Sequence, residues 1–234
     1  DLAGVLASFG AHGDHEARPA ALTIAQATEC GTLYTEEELL IIAEIAKKYG
    51  IVLHMDGARF ANAVAALGCH PADITWKAGV DILSFGATKN GALAAEAVII
   101  FDQDLAVEFG RQRMRGGHLL SKMRYLSIQL KSYIEDGLWL TLAGRANKAA
   151  QQIASGLSTI PAVDICHPVE VNAIFVRFPE QMIEGLTEEG FLFHRWPTRA
   201  GMVRLMCSYA ITDDDVEKFL KAARRHAPRS VSAM

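Results

Sequence analysis

The chain has 234 residues, 50% hydrophobic, 21% charged and 8% aromatic, with a mean hydropathy of +0.15. This is globular composition: it excludes collagen-like, low-complexity and disordered classes and provides apolar material for one large domain or two modest ones. A net charge of −4, from 23 basic against 27 acidic residues, offers no basic field to hold nucleic acid or an anionic membrane.

The longest apolar runs, Leu39–Ala43 and Ala97–Phe101, fall far short of the ~20 residues a membrane helix needs. The opening Asp1-Leu-Ala-Gly-Val-Leu has no basic region ahead of an apolar run, so no export signal is expected. Cys30, Cys69, Cys166 and Cys207 are far apart and form no C-x-x-C, the pattern of free thiols in a reducing cytoplasm. With no initiator methionine and no recognisable first element, the chain reads as part of a longer protein.

Thr35 to Gly50 carries strong helix punctuation. Thr35 is placed to cap the N-terminus with Glu38 completing a capping box, and Lys47 and Lys48 sit at the negative end of the helix dipole. Gly50 suits a left-handed terminal position, and apolar residues at 39, 42, 46 and 49 make one stripe. Ile51–Met55 reads as a buried strand ending at Asp56-Gly-Ala-Arg59, where the chain turns into a helix over Phe60–Leu67. Strands are expected over Asp81–Phe85 and Ala97–Phe101, joined through a loop of small residues, Gly86–Gly91. From Gln103 to Ala150 the chain reads mainly as helix, broken near Gly116-Gly117. Strand-like Ala173–Phe178, helical Gln181–Glu189, strand-like Met202–Met206 and a helix capped by Thr212 follow. The alternation predicts an α/β sheet with helices on both faces, then a small α+β unit, with the boundary near residue 146.

Asp56 and Lys89 both fall at the ends of predicted strands, where α/β sheets build their ligand crevices. Small neighbours around Lys89 let a planar group approach the backbone and leave room at the amine. Covalent chemistry at that amine requires it partly neutral, through nearby cations or desolvation. The Asp56 carboxylate suits a protonated pyridine nitrogen, and Arg59 projects from the same helical start.

Other residues read more plainly. His12-x-x-His15, beside Asp14 and Glu16, reads as a solvated turn ahead of a metal site. His54 shares a strand face with Asp56 and is expected to be packed or hydrogen-bonded. Gly116-Gly117-His118 suits either a phosphate-binding turn or a helix break. Arg111, Arg113 and Arg115 fit a solvated face or a subunit contact, and Cys207 a core thiol. Arg204 is either an ion-pair partner or a binding residue.

The stretch His54-Met-Asp-Gly-Ala-Arg-Phe-Ala-Asn-Ala63, followed by Ser84-Phe-Gly-Ala-Thr-Lys-Asn-Gly-Ala-Leu-Ala94, resembles the threonine aldolases. Ala21–Glu29 and Arg115–Tyr125 are similar to the low-specificity bacterial branch of that family. The resemblance implies an aspartate-aminotransferase-like α/β fold (fold type I) with a mostly parallel sheet. Residues 1–145 would be the C-terminal part of its large domain and 146–234 its small α+β domain. Pyridoxal 5′-phosphate is the implied cofactor and a small amino acid the substrate, in a cytoplasmic homodimer or homotetramer without nucleic-acid or membrane partners. The implied reaction cleaves L-threonine, L-allo-threonine or a related β-hydroxy-α-amino acid to glycine and an aldehyde. A β-eliminating lyase on the same scaffold and an inactive fragment are the alternatives.

By the same resemblance, Lys89 matches the lysine that holds the cofactor covalently, and Asp56 the partner of its ring nitrogen. Arg59 matches an arginine near the cofactor oxygen and substrate carboxylate, and Arg204 the arginine that binds that carboxylate. Arg124 matches a basic residue that helps hold phosphate. Nothing here matches the family's N-terminal Gly-rich phosphate loop or its ring-stacking histidine, so the chain alone is expected to bind the cofactor weakly.

Overall fold

A computed structural model describes residues 2–9, 18–197 and 199–228. The His12–His15 segment lies outside these. The chain falls into two compact units, Asp1–Thr28 with Tyr34–Trp139, and Glu29–Leu33 with Leu140–Met234.

The first unit opens with a short helix, α1 (Leu2–Ser8), where the sequence reading found no element. Its seven residues carry no acid in the first turn and no base in the last, so local signals were missing. β1 (Ala21–Ala25) leads to α2 (Glu36–Lys48), whose expected capping box is present. Glu38 donates its N–H to Thr35 Oγ1 at 3.2 Å, and Thr35 donates its own to Glu38 Oε2 at 2.8 Å. Leu39 and Ala46 of the α2 stripe are buried, and Gly50 ends the helix at φ +64°. β2 (Val52–Gly57), α3 (Phe60–Leu67), β3 (Ile82–Gly86) and β4 (Glu96–Ile100) complete a sheet of order β1-β2-β3-β4. The first three strands are parallel and β4 runs antiparallel to β3.

Leu53, Met55, Leu83 and Phe85 line the buried face of this sheet. α3 closes over it, with the Phe60 ring edge-on to Phe85 at 6.2 Å and stacked on Trp139 at 6.3 Å. On the alternate positions, Thr23, His54, Asp56 and Ser84 are half-buried or exposed.

The long helical stretch is several helices: α4 (Gln103–Ala106), α5 (Phe109–Arg115), α6 (Arg124–Ile134) and α7 (Leu138–Leu157). Gly116-Gly117 ends α5, with Gly117 at φ +75°, so the segment is a helix break. A second break, at Glu135–Gly137, went unread although Asp136-Gly137 is a turn dipeptide; Asp136 takes φ +55° there.

The second unit is an antiparallel sheet of order β5-β6-β8-β7, from β5 (Asp164–Ile165), β6 (Ala173–Arg177), β7 (His194–Arg195) and β8 (Met202–Met206). α7, α8 (Glu180–Glu188) and α9 (Asp213–His226) supply a core in which Ile153, Leu157, Met182, Leu186 and Phe219 meet Ile174, Val176, Val203 and Leu205. Cys207 is in this core as expected, and burial pushes its thiol up to about 12. The opposite face carries a smaller cluster of Ala173, Phe175 and Met202, with Cys166 and Trp196 packed on it. Glu29–Leu33 is laid against this unit. Gly31, at φ +75°, comes so close to Ala173 that a Cβ there would lie 2.9 Å from the alanine methyl, and Leu33 donates its N–H to Glu170 Oε2 at 2.7 Å.

Candidate active site

Parallel strands deliver successive loops to one end of the sheet, and here the register places Ala25 beside Asp56 and Asp56 beside Ser84. Asp56 is exposed within the last turn of β2, and its Oδ1 accepts the Ala58 N–H at 2.9 Å. Its carbonyl accepts Gln26 N–H at 2.9 Å, and the buried Gln26 side chain exchanges two hydrogen bonds with the Tyr34 backbone. Among the described residues the carboxylate is therefore positioned by backbone pairing and not by an ion pair.

β3 ends at Gly86, and Lys89 follows on a single 3-10 turn, Thr88–Asn90. Lys89 is exposed and makes no hydrogen bond or ion pair among the described residues. Its neighbours are held firmly. Thr88 N–H reaches Glu96 Oε1 at 3.2 Å and its hydroxyl accepts Ala95 N–H at 3.1 Å. Buried Asn90 donates to Tyr133 Oη at 2.7 Å and to the Trp139 carbonyl at 2.9 Å. Burial pushes the Tyr133 phenol up to about 12, so it stays neutral at physiological pH. Farther along the loop, Gln129 Oε1 accepts the N–H groups of Leu93 and Ala94 at 3.0 and 3.1 Å. An exposed lysine side chain thus stands on a hydrogen-bonded base.

The small residues have a structural task beyond leaving space for a ligand. A Cβ on Gly86 would lie 2.8 Å from Ala58 Cα, and one on Gly57 would lie 2.7 Å from the Ser84 carbonyl oxygen. The loop bearing Lys89 and the turn after Asp56 pack backbone to backbone, which only glycine permits at these two positions.

Arg59 opens α3 directly after this turn and is half-buried. His54 sits two residues before Asp56 on the same face, with Nε2 2.9 Å from Ser84 Oγ and Nδ1 3.4 Å from Thr23 Oγ1. Arg124 begins α6, the helix that also supplies Gln129 and Tyr133; it is exposed, with its guanidinium 5.3 Å from the Tyr125 ring centroid. The structure thus brings Asp56, Arg59 and Lys89 to one end of the first sheet. Arg204 belongs to the second unit and stands in the middle of β8 rather than at a strand end.

Sequence reasoning missed Gln26, Asn90, Gln129 and Tyr133, the residues that hold the loops. For Asn90 a signal existed, a polar residue beside Lys89 in an otherwise small and apolar run. For Gln129 and Tyr133 no local signal did, because their partners are far away in sequence. Among the described residues no cluster of three or more His, Cys, Asp or Glu is placed to hold a metal ion.

This geometry defines an α/β protein with a lysine and an aspartate at adjacent strand ends. The chain belongs to the beta-eliminating lyase family, whose family model matches residues 1–181. It is 42% identical over 210 residues to a low specificity L-threonine aldolase of Pseudomonas aeruginosa, a match covering 90% of this chain and 60% of that one. A low specificity L-threonine aldolase of a second Pseudomonas strain is 45% identical over 195 residues, covering 83% and 56% of the two chains. Among solved structures, a threonine aldolase of Leishmania major matches with a TM-score of 0.89 at 28% identity, over 97% of this chain and 66% of that one. The fold is that of the type I pyridoxal-phosphate enzymes. The chain spans 60% and 56% of the lengths of the two Pseudomonas relatives.

Proposed function

We propose that this protein is a pyridoxal 5′-phosphate-dependent carbon–carbon lyase of the threonine aldolase type. It would cleave L-threonine, L-allo-threonine or a related β-hydroxy-α-amino acid to glycine and an aldehyde. The carrying observation is the placement of Asp56 and Lys89 at adjacent strand ends, an exposed carboxylate and an exposed amine on two loops packed together at Gly86 and Ala58. The donor set fits the cofactor: an unpaired amine suits its aldehyde, a carboxylate suits its ring nitrogen, and Gly57 and Gly86 let the two loops that carry them pack closely. The names of the Pseudomonas and Leishmania relatives support the same reading.

When bound, the cofactor supplies an electron sink for a bond at the substrate's α-carbon. Asp56 would hold the proton on the ring nitrogen, and Lys89 Nζ would anchor the cofactor. Arg204 would pair with the substrate carboxylate through parallel N–H donors, with Arg59 assisting, and this orientation selects the bond that breaks. Arg124 would add a cation for phosphate. Residues 1–145 would form the C-terminal part of the cofactor-binding large domain and 146–234 the small domain.

A cytoplasmic homodimer or homotetramer is part of the proposal. Among the described residues no helix is long and apolar enough to cross a membrane. Apolar side chains exposed in the first unit, Leu93, Tyr125 and Ile128, favour self-association.

The test is product analysis with L-threonine and pyridoxal phosphate. Glycine and acetaldehyde are expected, whereas ammonia and 2-oxobutanoate would favour the elimination chemistry in the family's name. Lys89→Ala should abolish multiple turnover and the bound cofactor's visible absorbance while leaving the thermal midpoint of the cofactor-free protein unchanged, because Lys89 is exposed and unpaired among the described residues. Normal turnover by that variant overturns the assignment.

A further inference from the structure

Arg204 is the central residue of β8, with Phe175 its register partner on β6 and His194 its partner on β7. Val203 and Leu205 enter the helix-covered core, so Met202 and Arg204 face the other side of the sheet. There the guanidinium carbon lies 5.7 Å from the Trp196 ring centroid. Trp196 is itself clamped. Its backbone N–H donates to the Met202 carbonyl at 2.8 Å, and its ring meets Phe175 edge-on at 5.1 Å and His194 at 6.0 Å.

Two further observations set Arg204 apart. Its Nε is buried and has no hydrogen-bond partner among the described residues, although a buried charged donor is costly to leave unpaired. Two other arginines of this sheet do have carboxylates: Arg177 pairs with Asp164 and Arg195 with Glu180. Arg204 has an aromatic face instead. A carboxylate neighbour would neutralise the cation and occupy its donors, whereas the negative face of an indole stabilises the charge and leaves the N–H edge open.

We propose that Trp196 is the positioning residue for Arg204, a platform clamped by Phe175 and His194 that fixes the guanidinium with its donors directed to a carboxylate ligand. The identity of that ligand as the substrate's carboxylate rests on the function proposed above.

The experiment measures KM and kcat for L-threonine, and the glycine dissociation constant, on the full chain loaded with pyridoxal phosphate. Trp196→Leu should raise KM roughly 3–30-fold, the range of a partly desolvated cation–π contact, with kcat changed less than about twofold. Trp196→Phe, which keeps a ring face, should recover most of the loss. To guard against misfolding, tryptophan carrying one to four ring fluorines is introduced at position 196, keeping shape while draining negative charge from the face. The glycine dissociation constant should then rise stepwise with fluorination. A flat series, alongside a large KM rise in Arg204→Met, overturns the platform and leaves the carboxylate role of Arg204 standing. An unchanged KM in Arg204→Met overturns that role and this proposal with it.

Discussion

Asp56 accepts the Ala58 N–H through one oxygen, an arrangement an asparagine carbonyl reproduces. Under the proposed function, Asp56→Asn is therefore expected to keep the turn and the cofactor while removing the charge that would face the ring nitrogen. kcat should fall by ~10²–10³, the usual scale for one electrostatic group. A near-normal kcat with cofactor bound would show that Asp56 has another task. Gly86→Ala tests the packing: its methyl would press on Ala58 Cα, and urea unfolding should report a loss of about 1–3 kcal/mol. Asp56, Arg59 and Lys89 were legible in sequence because each sits in a local pattern of strand end, turn and helix start. The reason for the glycines was not. The sequence suggested space for a ligand, and the structure adds a backbone neighbour, Ala58, that is remote along the chain.

At the level of elements, the capped helices and the regular strands follow from nearest neighbours. α2, α3, β8 and α9 stand where their caps, stripes and β-prone runs put them. Thr35→Ala should lose the α2 cap at a cost of ~1 kcal/mol, read from the shift in a denaturant midpoint. Acid should weaken the second unit through its carboxylates. Asp215 is held below its ordinary value by hydrogen bonds from Thr212, Glu217 by Lys221, and Glu189 by Arg225 and then His226. A depressed folded value means the stabilisation is present above the unfolded value and disappears as pH falls through the folded one. Urea midpoints should thus decline below about pH 4, and Thr212→Ala should flatten part of that decline. An identical acid profile in Thr212→Ala would deny the cap that role. α1, β1 and the Glu135–Gly137 break escaped the sequence reading: α1 has no acid in its first turn and no base in its last, and β1 buries Ile24 alone.

Over the whole molecule, the exposed apolar side chains form the feature most open to test. Leu93 is 88% exposed and Ile128 53%, and Gln129 brings their segments together by accepting from Leu93 N–H. Patches of this kind mark interaction surfaces. If the proposed self-association uses this patch, Leu93→Lys combined with Ile128→Lys is expected to lower the mass measured by light scattering, and an unchanged mass overturns that use of the patch. By itself the sequence determined the helix caps, most strands and the strand-end positions of Asp56 and Lys89, since these depend on residues a few positions apart. Tertiary structure alone decided that Glu29–Leu33 crosses into the second unit, that Gly86 must meet Ala58, and that Arg204 rests on Trp196 instead of a carboxylate. Those pairings depend on strand order and register, which arise when separate segments fold against one another, and no local run of side chains encodes them.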